Sequence, residues 1–138
     1  MADELNLTGG CLCGAVRYRC GATIYPAAYC HCTSCRRAAG AHAVAWFTVP
    51  ASGLVFTQGQ PTLYRSSPPV RRGFCARCGT QLTYQHDSTA GEIDVTVGSL
   101  DRPDQVAPAA HIWMEDAARW DRPGDGLPNH PRSRRHDG

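Results

Sequence analysis

The chain has 138 residues, of which 42% are hydrophobic and 19% are charged, and this balance predicts one globular domain rather than a disordered chain. The formal net charge of +2 is too small to indicate a nucleic-acid partner, and no run approaches the roughly 18 apolar residues of a membrane-spanning helix. Residues 1–4 carry neither the basic nor the apolar features of a signal peptide, so we expect a cytoplasmic protein without a membrane partner.

Short apolar runs separated by frequent turn residues, 14 glycines and 10 prolines, predict a mainly β fold with very little helix. In chain order, strands are predicted over residues 16–20, 43–49, 53–57, 62–65, 81–85, 93–97 and 111–113. We expect the strands 53–57 and 62–65 to form a hairpin. One helix is predicted over residues 33–39, with Thr33 as its N-cap and Gly40 as its stop.

The whole of residues 1–128 is predicted to form a single domain. Residues 129–138 are rich in arginine and have little apolar surface to bury, so we expect a flexible basic tail there. Large aromatic side chains are interpreted mainly as core residues, although they are also suited to line a pocket. They are Trp46, Phe47, Tyr64 and Trp113.

Eight cysteines are the outlying feature of this composition. Metal binding is a better interpretation than a disulfide framework, because no export signal is visible. Cysteines one residue apart in an extended segment also point to the same side, which suits binding of one ion and disfavours a disulfide between them. The spacing therefore favours zinc and a reducing compartment.

Two motifs, Cys11-Leu12-Cys13-Gly14 and Cys75-Ala76-Arg77-Cys78-Gly79, each place a pair of cysteines before a glycine. Glycine allows the tight backbone turn around a metal and lets amide N–H groups approach the sulfur atoms. Four thiolates complete a tetrahedral zinc site, and a fully coordinated ion has no position for substrate, so we predict a structural zinc. Its ligands are Cys11, Cys13, Cys75 and Cys78.

A third motif, Cys30-His31-Cys32-Thr33-Ser34-Cys35, offers three thiolates within a short segment. Three protein ligands with one open position are typical of a catalytic zinc. Cys20 can fill the fourth position, which makes both ions structural, but it also continues the apolar face of the strand 16–20 and suits the core. His31 can also ligate the ion, and otherwise it lies behind the ligands or faces the substrate.

These motifs, in this order, resemble those of the glutathione-dependent formaldehyde-activating enzymes, a domain family shared with centromere protein V. The resemblance covers residues 8–128. The segments that carry it are 10–14, 30–37, 74–79, 97–101, 111–113 and 125–128. Cys20 lies outside the family pattern.

The resemblance implies a β-tent of antiparallel sheets, like the Mss4 class, held together by a structural zinc at Cys11, Cys13, Cys75 and Cys78. It also implies a second, catalytic zinc held by Cys30, Cys32 and Cys35. The implied activity is that of a carbon–sulfur lyase, which joins formaldehyde to glutathione as S-hydroxymethylglutathione.

We therefore expect an enzyme whose partners are a small thiol such as glutathione and an aldehyde such as formaldehyde. Arg36 and Arg37 follow Cys35 and are placed to attract the carboxylates of glutathione, with His31 as a further candidate for substrate binding. The alternative is a zinc-stabilised binding module without catalysis, like centromere protein V, although this sequence shows no basic N-terminal arm for such a role.

Overall fold

The computed structural model describes residues 6–134, which contain ten strands and one α-helix, α1, over Thr33–Ala39. The strands are β1 (Leu7–Gly10), β2 (Arg17–Cys20), β3 (Tyr25–Cys30), β4 (Val44–Pro50), β5 (Val55–Gln58), β6 (Thr62–Ser67), β7 (Val70–Phe74), β8 (Gln81–His86), β9 (Glu92–Thr96) and β10 (His111–Ile112). Within this described region, no helix has the length and apolar character needed to cross a lipid bilayer.

The strands form two sheets. A three-stranded antiparallel sheet has the order β1-β2-β5, and a seven-stranded sheet has the order β10-β3-β4-β9-β8-β7-β6. Every pair in the larger sheet is antiparallel except β10 with β3, which is parallel. The prediction of a mainly β fold built of antiparallel sheets with very little helix is confirmed.

Alternation of buried and exposed residues places the core against the smaller sheet. In β2, Tyr18 and Cys20 are buried and Arg19 between them is exposed, as the sequence pattern predicts. By contrast, four consecutive residues of β4 are buried, which is typical of a central strand covered on both faces. Residues Leu7, Phe47, Leu82 and Val95 are buried in the same cluster. Cys20 therefore packs as an apolar core residue.

The predicted hairpin between 53–57 and 62–65 is wrong. Strand β5 pairs with β2 in the smaller sheet, whereas β6 pairs with β7 in the larger one. The chain passes from one sheet to the other at Gly59, which has a φ of +65°. A Cβ atom added at this position would lie 2.3 Å from the carbonyl oxygen of Ala15. Turn residues between two short strands indicated a reversal, but they carried no information on the partner strand.

The helix has the predicted extent, but its N-cap is Cys32 and not Thr33. Cys32 has the extended backbone typical of an N-cap (φ −64°, ψ 154°), and its sulfur accepts the backbone N–H of Cys35. At the other end, Gly40 adopts the left-handed conformation and its N–H donates to the carbonyl of Arg36, as the predicted stop requires.

A segment near the C-terminus runs alongside β10. The backbone N–H of Trp113 donates to the carbonyl of Arg132 at 3.1 Å, that of His111 donates to the carbonyl of Pro128, and that of His130 donates to the carbonyl of His111. Asn129 also forms a parallel bridge with His111. Residues 129–132 thus have backbone partners. The flexible tail over residues 129–138 stays a prediction, and its residues 135–138 lie outside the described residues.

Candidate functional site

Four cysteines from distant parts of the chain meet between the sheets, as the first two motifs predicted. Cys11 and Cys13 lie in the loop between β1 and β2, and Cys75 and Cys78 lie in the loop between β7 and β8. All four sulfur atoms lie within 4.8 Å of one another. The Sγ atom of Cys13 is 3.7 Å from that of Cys11 and 3.8 Å from that of Cys75. We call this group the four-cysteine cluster.

The two loops of the four-cysteine cluster have similar turns. Gly14 and Gly79 both have φ of +83°, a conformation that favours glycine, and each donates its N–H to the carbonyl of the first cysteine of its motif. The sulfur of Cys75 accepts backbone N–H bonds from Arg77 and Cys78, both at 3.4 Å. These bonds stabilise negative charge on the sulfur atoms.

The donor set of the four-cysteine cluster fits zinc. A tetrahedral zinc ion binds thiolate sulfur at about 2.3 Å, which requires about 3.8 Å between neighbouring sulfur atoms. The measured separations of 3.7 and 3.8 Å agree with that geometry. A hydrogen bond from the Thr80 hydroxyl is the largest influence that lowers the pKa of Cys78, to about 5, so this thiol ionises readily for metal binding.

A second group of three sulfur atoms, also within 4.8 Å of one another, comes from Cys30, Cys32 and Cys35. We call it the three-cysteine cluster. Cys30 ends β3, Cys32 caps α1 and Cys35 lies in the first turn of the helix. In the described part of the chain, no other cysteine, histidine or carboxylate joins this group. Cys20 in particular belongs to the core cluster, where burial raises its pKa to about 11.

The three crowded thiols distribute charge unequally. Hydrogen bonds from the thiols of Cys30 and Cys35 lower the pKa of Cys32 to about 2. The same contact with Cys32 raises the pKa of Cys30, because a second thiolate so close to the first is unfavourable. A cation among the three sulfur atoms would favour their joint ionisation. The cluster can therefore hold a metal ion, and three soft sulfur donors fit zinc.

Arg72 is a functional candidate that the sequence analysis missed. Its Nη1 and Nη2 atoms lie 3.9 and 3.8 Å from the sulfur of Cys35, and its guanidinium lies 5.1 Å from the centre of the Tyr84 ring. The residue is only 6% exposed, which is unusual for arginine. The sequence pattern could have identified this residue, because Arg72 lies two positions after Val70 in β7 and so shares the apolar face of the strand.

A cleft of about 590 Å³ opens above the three-cysteine cluster. This volume lies in the usual range for small-molecule sites. Its walls include Cys32, Cys35, Trp46, Arg72, Tyr84 and Trp113. Of the other aromatic residues considered, Phe47 is fully buried in the core and Tyr64 is exposed on β6, so only the two tryptophans combine packing with a place in the cleft.

The structure does not bring the predicted substrate residues into the cleft. Arg36 and Arg37 occupy the last turn of α1, outside the lining of the cleft. His31 is 1% exposed and points away from the cluster sulfurs. Its Nδ1 atom lies 3.0 Å from a carboxylate oxygen of Asp121, and its Nε2 atom lies 2.9 Å from Nδ1 of His111. Burial is the main influence that lowers the pKa of His31.

The class of protein is thus a small, mainly β domain with two cysteine clusters that could each hold a metal ion, and with a cleft at the three-cysteine cluster. Residues 6–116 match the sequence profile of the family described as glutathione-dependent formaldehyde-activating enzyme. The match spans most of the sequence, and the chain belongs to this family. The resemblance seen in the motifs is confirmed.

A solved structure supports the same assignment. The chain is similar to a crystal structure of a Rhodobacter sphaeroides protein determined in a structural genomics programme, with 30% sequence identity and a TM-score of 0.58. The similarity covers 68% of this chain and 87% of that chain. The predicted fold class is thereby confirmed.

Proposed function

We propose that the protein is a zinc-dependent carbon–sulfur lyase that joins a small thiol, glutathione, to an aldehyde, formaldehyde. The observation that carries the proposal is the three-cysteine cluster at the base of a cleft. Family membership supports the pairing of these two substrates. The reducing conditions that keep such thiols free support a cytoplasmic location.

The two clusters are assigned different roles. Cys11, Cys13, Cys75 and Cys78 would hold a structural zinc, because four thiolates complete its coordination. Cys30, Cys32 and Cys35 would hold a catalytic zinc. When bound there, zinc supplies Lewis acidity that favours the ionised form of a nearby thiol.

The reaction forms a carbon–sulfur bond and an O–H bond, breaks the S–H bond and the carbonyl π bond, and involves no net oxidation. The thiol sulfur donates an electron pair to the carbonyl carbon, the carbon–oxygen π electrons move to oxygen, and the thiol proton ends on that oxygen. Arg72 places a permanent positive charge beside Cys35, where negative charge moves from sulfur to oxygen during this step. A fixed guanidinium in a buried cleft stabilises such charge without reorganisation.

The cleft suits a zwitterionic thiol. Glutathione carries two carboxylates and one ammonium group, and the lining of the cleft contains side chains of both signs: Arg72, Arg134, Glu92 and Asp94. Trp46 and Trp113 provide apolar wall and limit access of water to the reacting atoms. Arg36 and Arg37 retain a proposed role in long-range attraction of the anion, and His31 acts behind the ligands rather than on the substrate.

The test is exchange spectroscopy on an equilibrium mixture of glutathione and formaldehyde. The zinc-loaded protein is expected to increase the rate of exchange between free glutathione and S-hydroxymethylglutathione, and Cys35→Ser is expected to abolish the increase. Cys20→Ser serves as the control, because it changes a cysteine that belongs to neither cluster. Wild-type protein with two tightly held zinc ions and no effect on exchange would instead support a binding module.

A further inference from the structure

A chain of four side chains lies behind the three-cysteine cluster. It runs from Asp121 through His31 and His111 to Asp125, with successive atoms 3.0, 2.9 and 2.8 Å apart. The two imidazoles are 1% and 5% exposed, and the Asp121 side chain is 10% exposed. The Asp125 side chain at the other end is 41% exposed. Because the two imidazoles are buried, each depends on its neighbours in this chain for a hydrogen-bond partner.

His31 connects this chain to the metal-binding sulfurs. It lies between Cys30 and Cys32 in an extended segment, where neighbouring side chains point to opposite sides. The imidazole of His31 therefore points to His111 and Asp121, whereas the two sulfur atoms point to the cluster. The backbone N–H of His31 also donates to the carbonyl of Ile112 at 3.0 Å. Fixing the ring consequently fixes the backbone that carries both sulfurs.

Both carboxylates come from the segment that follows the family match, which ends at residue 116. The segment is held in place independently of its aspartates, because Met114 donates its backbone N–H to the carbonyl of His130 at 3.0 Å and Trp113 donates to Arg132. Trp113 itself has φ of +58°, a strained conformation for a tryptophan, and it lines the cleft. Ser133 and Arg134 of the C-terminal segment also line the cleft, so the segment contacts the site both at the imidazoles and at the cleft.

We infer that Asp121 and Asp125 are positioning residues for the three-cysteine cluster, and that they act through the His31–His111 pair to hold Cys30 and Cys32 in their metal-binding arrangement. Neither carboxylate is part of the cluster. The inference rests on the proposed function only for the identity of the ion, zinc.

The experiment measures release of zinc from the fully loaded protein to a chromophoric chelator, which reports the two clusters as separate phases. Cys35→Ser identifies the phase of the three-cysteine cluster. Asp121→Ala is expected to accelerate that phase about tenfold, the usual scale for loss of a group that orients metal ligands. The phase of the four-cysteine cluster is expected to keep its wild-type rate. Asp104→Ala, which removes an exposed loop carboxylate, is the control and should change neither phase.

A conservative variant separates positioning from general stability. Asp121→Asn keeps an oxygen that accepts the N–H of His31, so its release rate should lie close to that of the wild type. Equal acceleration of both phases in Asp121→Ala, or wild-type rates in that variant, would overturn the inference. So would equal effects of the alanine and asparagine substitutions.

Failure of this inference is distinguishable from failure of the proposed function, because metal release does not depend on turnover. An inactive wild-type protein whose Asp121→Ala variant selectively loses zinc would contradict the proposed function and support the positioning role. An active wild-type protein whose variant holds both ions normally would contradict only the positioning role.

Discussion

The burial of the Arg72 guanidinium beside Cys35 is explained more readily by a role in the proposed reaction than by packing alone. A buried guanidinium requires partners that compensate for lost hydration, and this one has the Cys35 sulfur, the Tyr84 ring and the Ser66 hydroxyl. With zinc bound to its three thiolates, the cluster would carry one net negative charge, which Arg72 would balance. The thiolate of the proposed substrate would then add negative charge at a position where a cation is already fixed.

Replacing Arg72 tests this role. Arg72→Met is expected to lower kcat/KM for the glutathione–formaldehyde reaction about 100-fold, the scale for loss of one preorganised donor. Arg71→Met is the matched control, because Arg71 precedes Arg72 in β7 and instead contacts Gln85 and Asp87. It should retain nearly full activity. Similar losses in both variants, at equal zinc content, would show that the effect is not specific to the cluster.

Cys20 provides the opposite test, on a cysteine without a chemical role. Because it is buried among apolar residues and its pKa is raised to about 11, it is expected neither to bind metal nor to react with alkylating agents at neutral pH. Cys20→Ala should therefore keep two zinc ions per chain and normal activity, with a stability loss on the order of 1 kcal/mol. Loss of one zinc ion, measured by elemental analysis, would identify Cys20 as a ligand.

At the scale of elements, alternation predicted strands but not their partners. The strand 16–20 was predicted because apolar and arginine side chains alternate there, and β2 occupies residues 17–20. Strand β3 was missed because it contains Pro26, a residue that sheets tolerate mainly at irregularities; the register with β4 indeed shifts between Tyr25 and Ala28. Burial of one face of a strand explains the alternation of apolar and polar residues along it, but it does not identify the neighbouring strand.

The contact between β1 and β2 offers a test of close packing. A Cβ atom at Gly9 would lie 2.4 Å from the carbonyl oxygen of Ser99 and 2.4 Å from the Tyr18 hydroxyl. Gly9→Ala is therefore expected to lower the free energy of unfolding by about 1–3 kcal/mol. Gly21→Ala is the control, because nothing lies within 4 Å of its Cβ position, and urea denaturation should show a change below about 1 kcal/mol. Equal effects would contradict this packing.

At the scale of the whole molecule, spacing predicted the two cysteine clusters well because metal ligands must converge. The four-cysteine cluster required only two short motifs, although Cys13 and Cys75 are 62 residues apart. The cleft was beyond the same reasoning, since its walls come from elements that share no motif. Arg72 enters from β7 and Trp113 from the end of β10, and their meeting is a property of the complete fold.

The four-cysteine cluster should stabilise the whole domain. It joins the β1–β2 loop to the β7–β8 loop, so Cys75→Ser is expected to cost several kcal/mol of unfolding free energy, as metal binding contributes directly to folding. The three-cysteine cluster joins residues that are close in sequence. Cys32→Ser should therefore cost less stability than Cys75→Ser, and serine is itself a good helix N-cap. A larger loss in Cys32→Ser than in Cys75→Ser would contradict this division of roles.

The most direct measurement is a crystal structure of the zinc-saturated protein soaked with glutathione. We predict an ion bound by Cys30, Cys32 and Cys35 whose remaining position holds the sulfur of glutathione, within the cleft that Arg72 lines. An ion whose fourth ligand is a side chain of the protein, or no ion at these three cysteines at saturating zinc, would contradict the account.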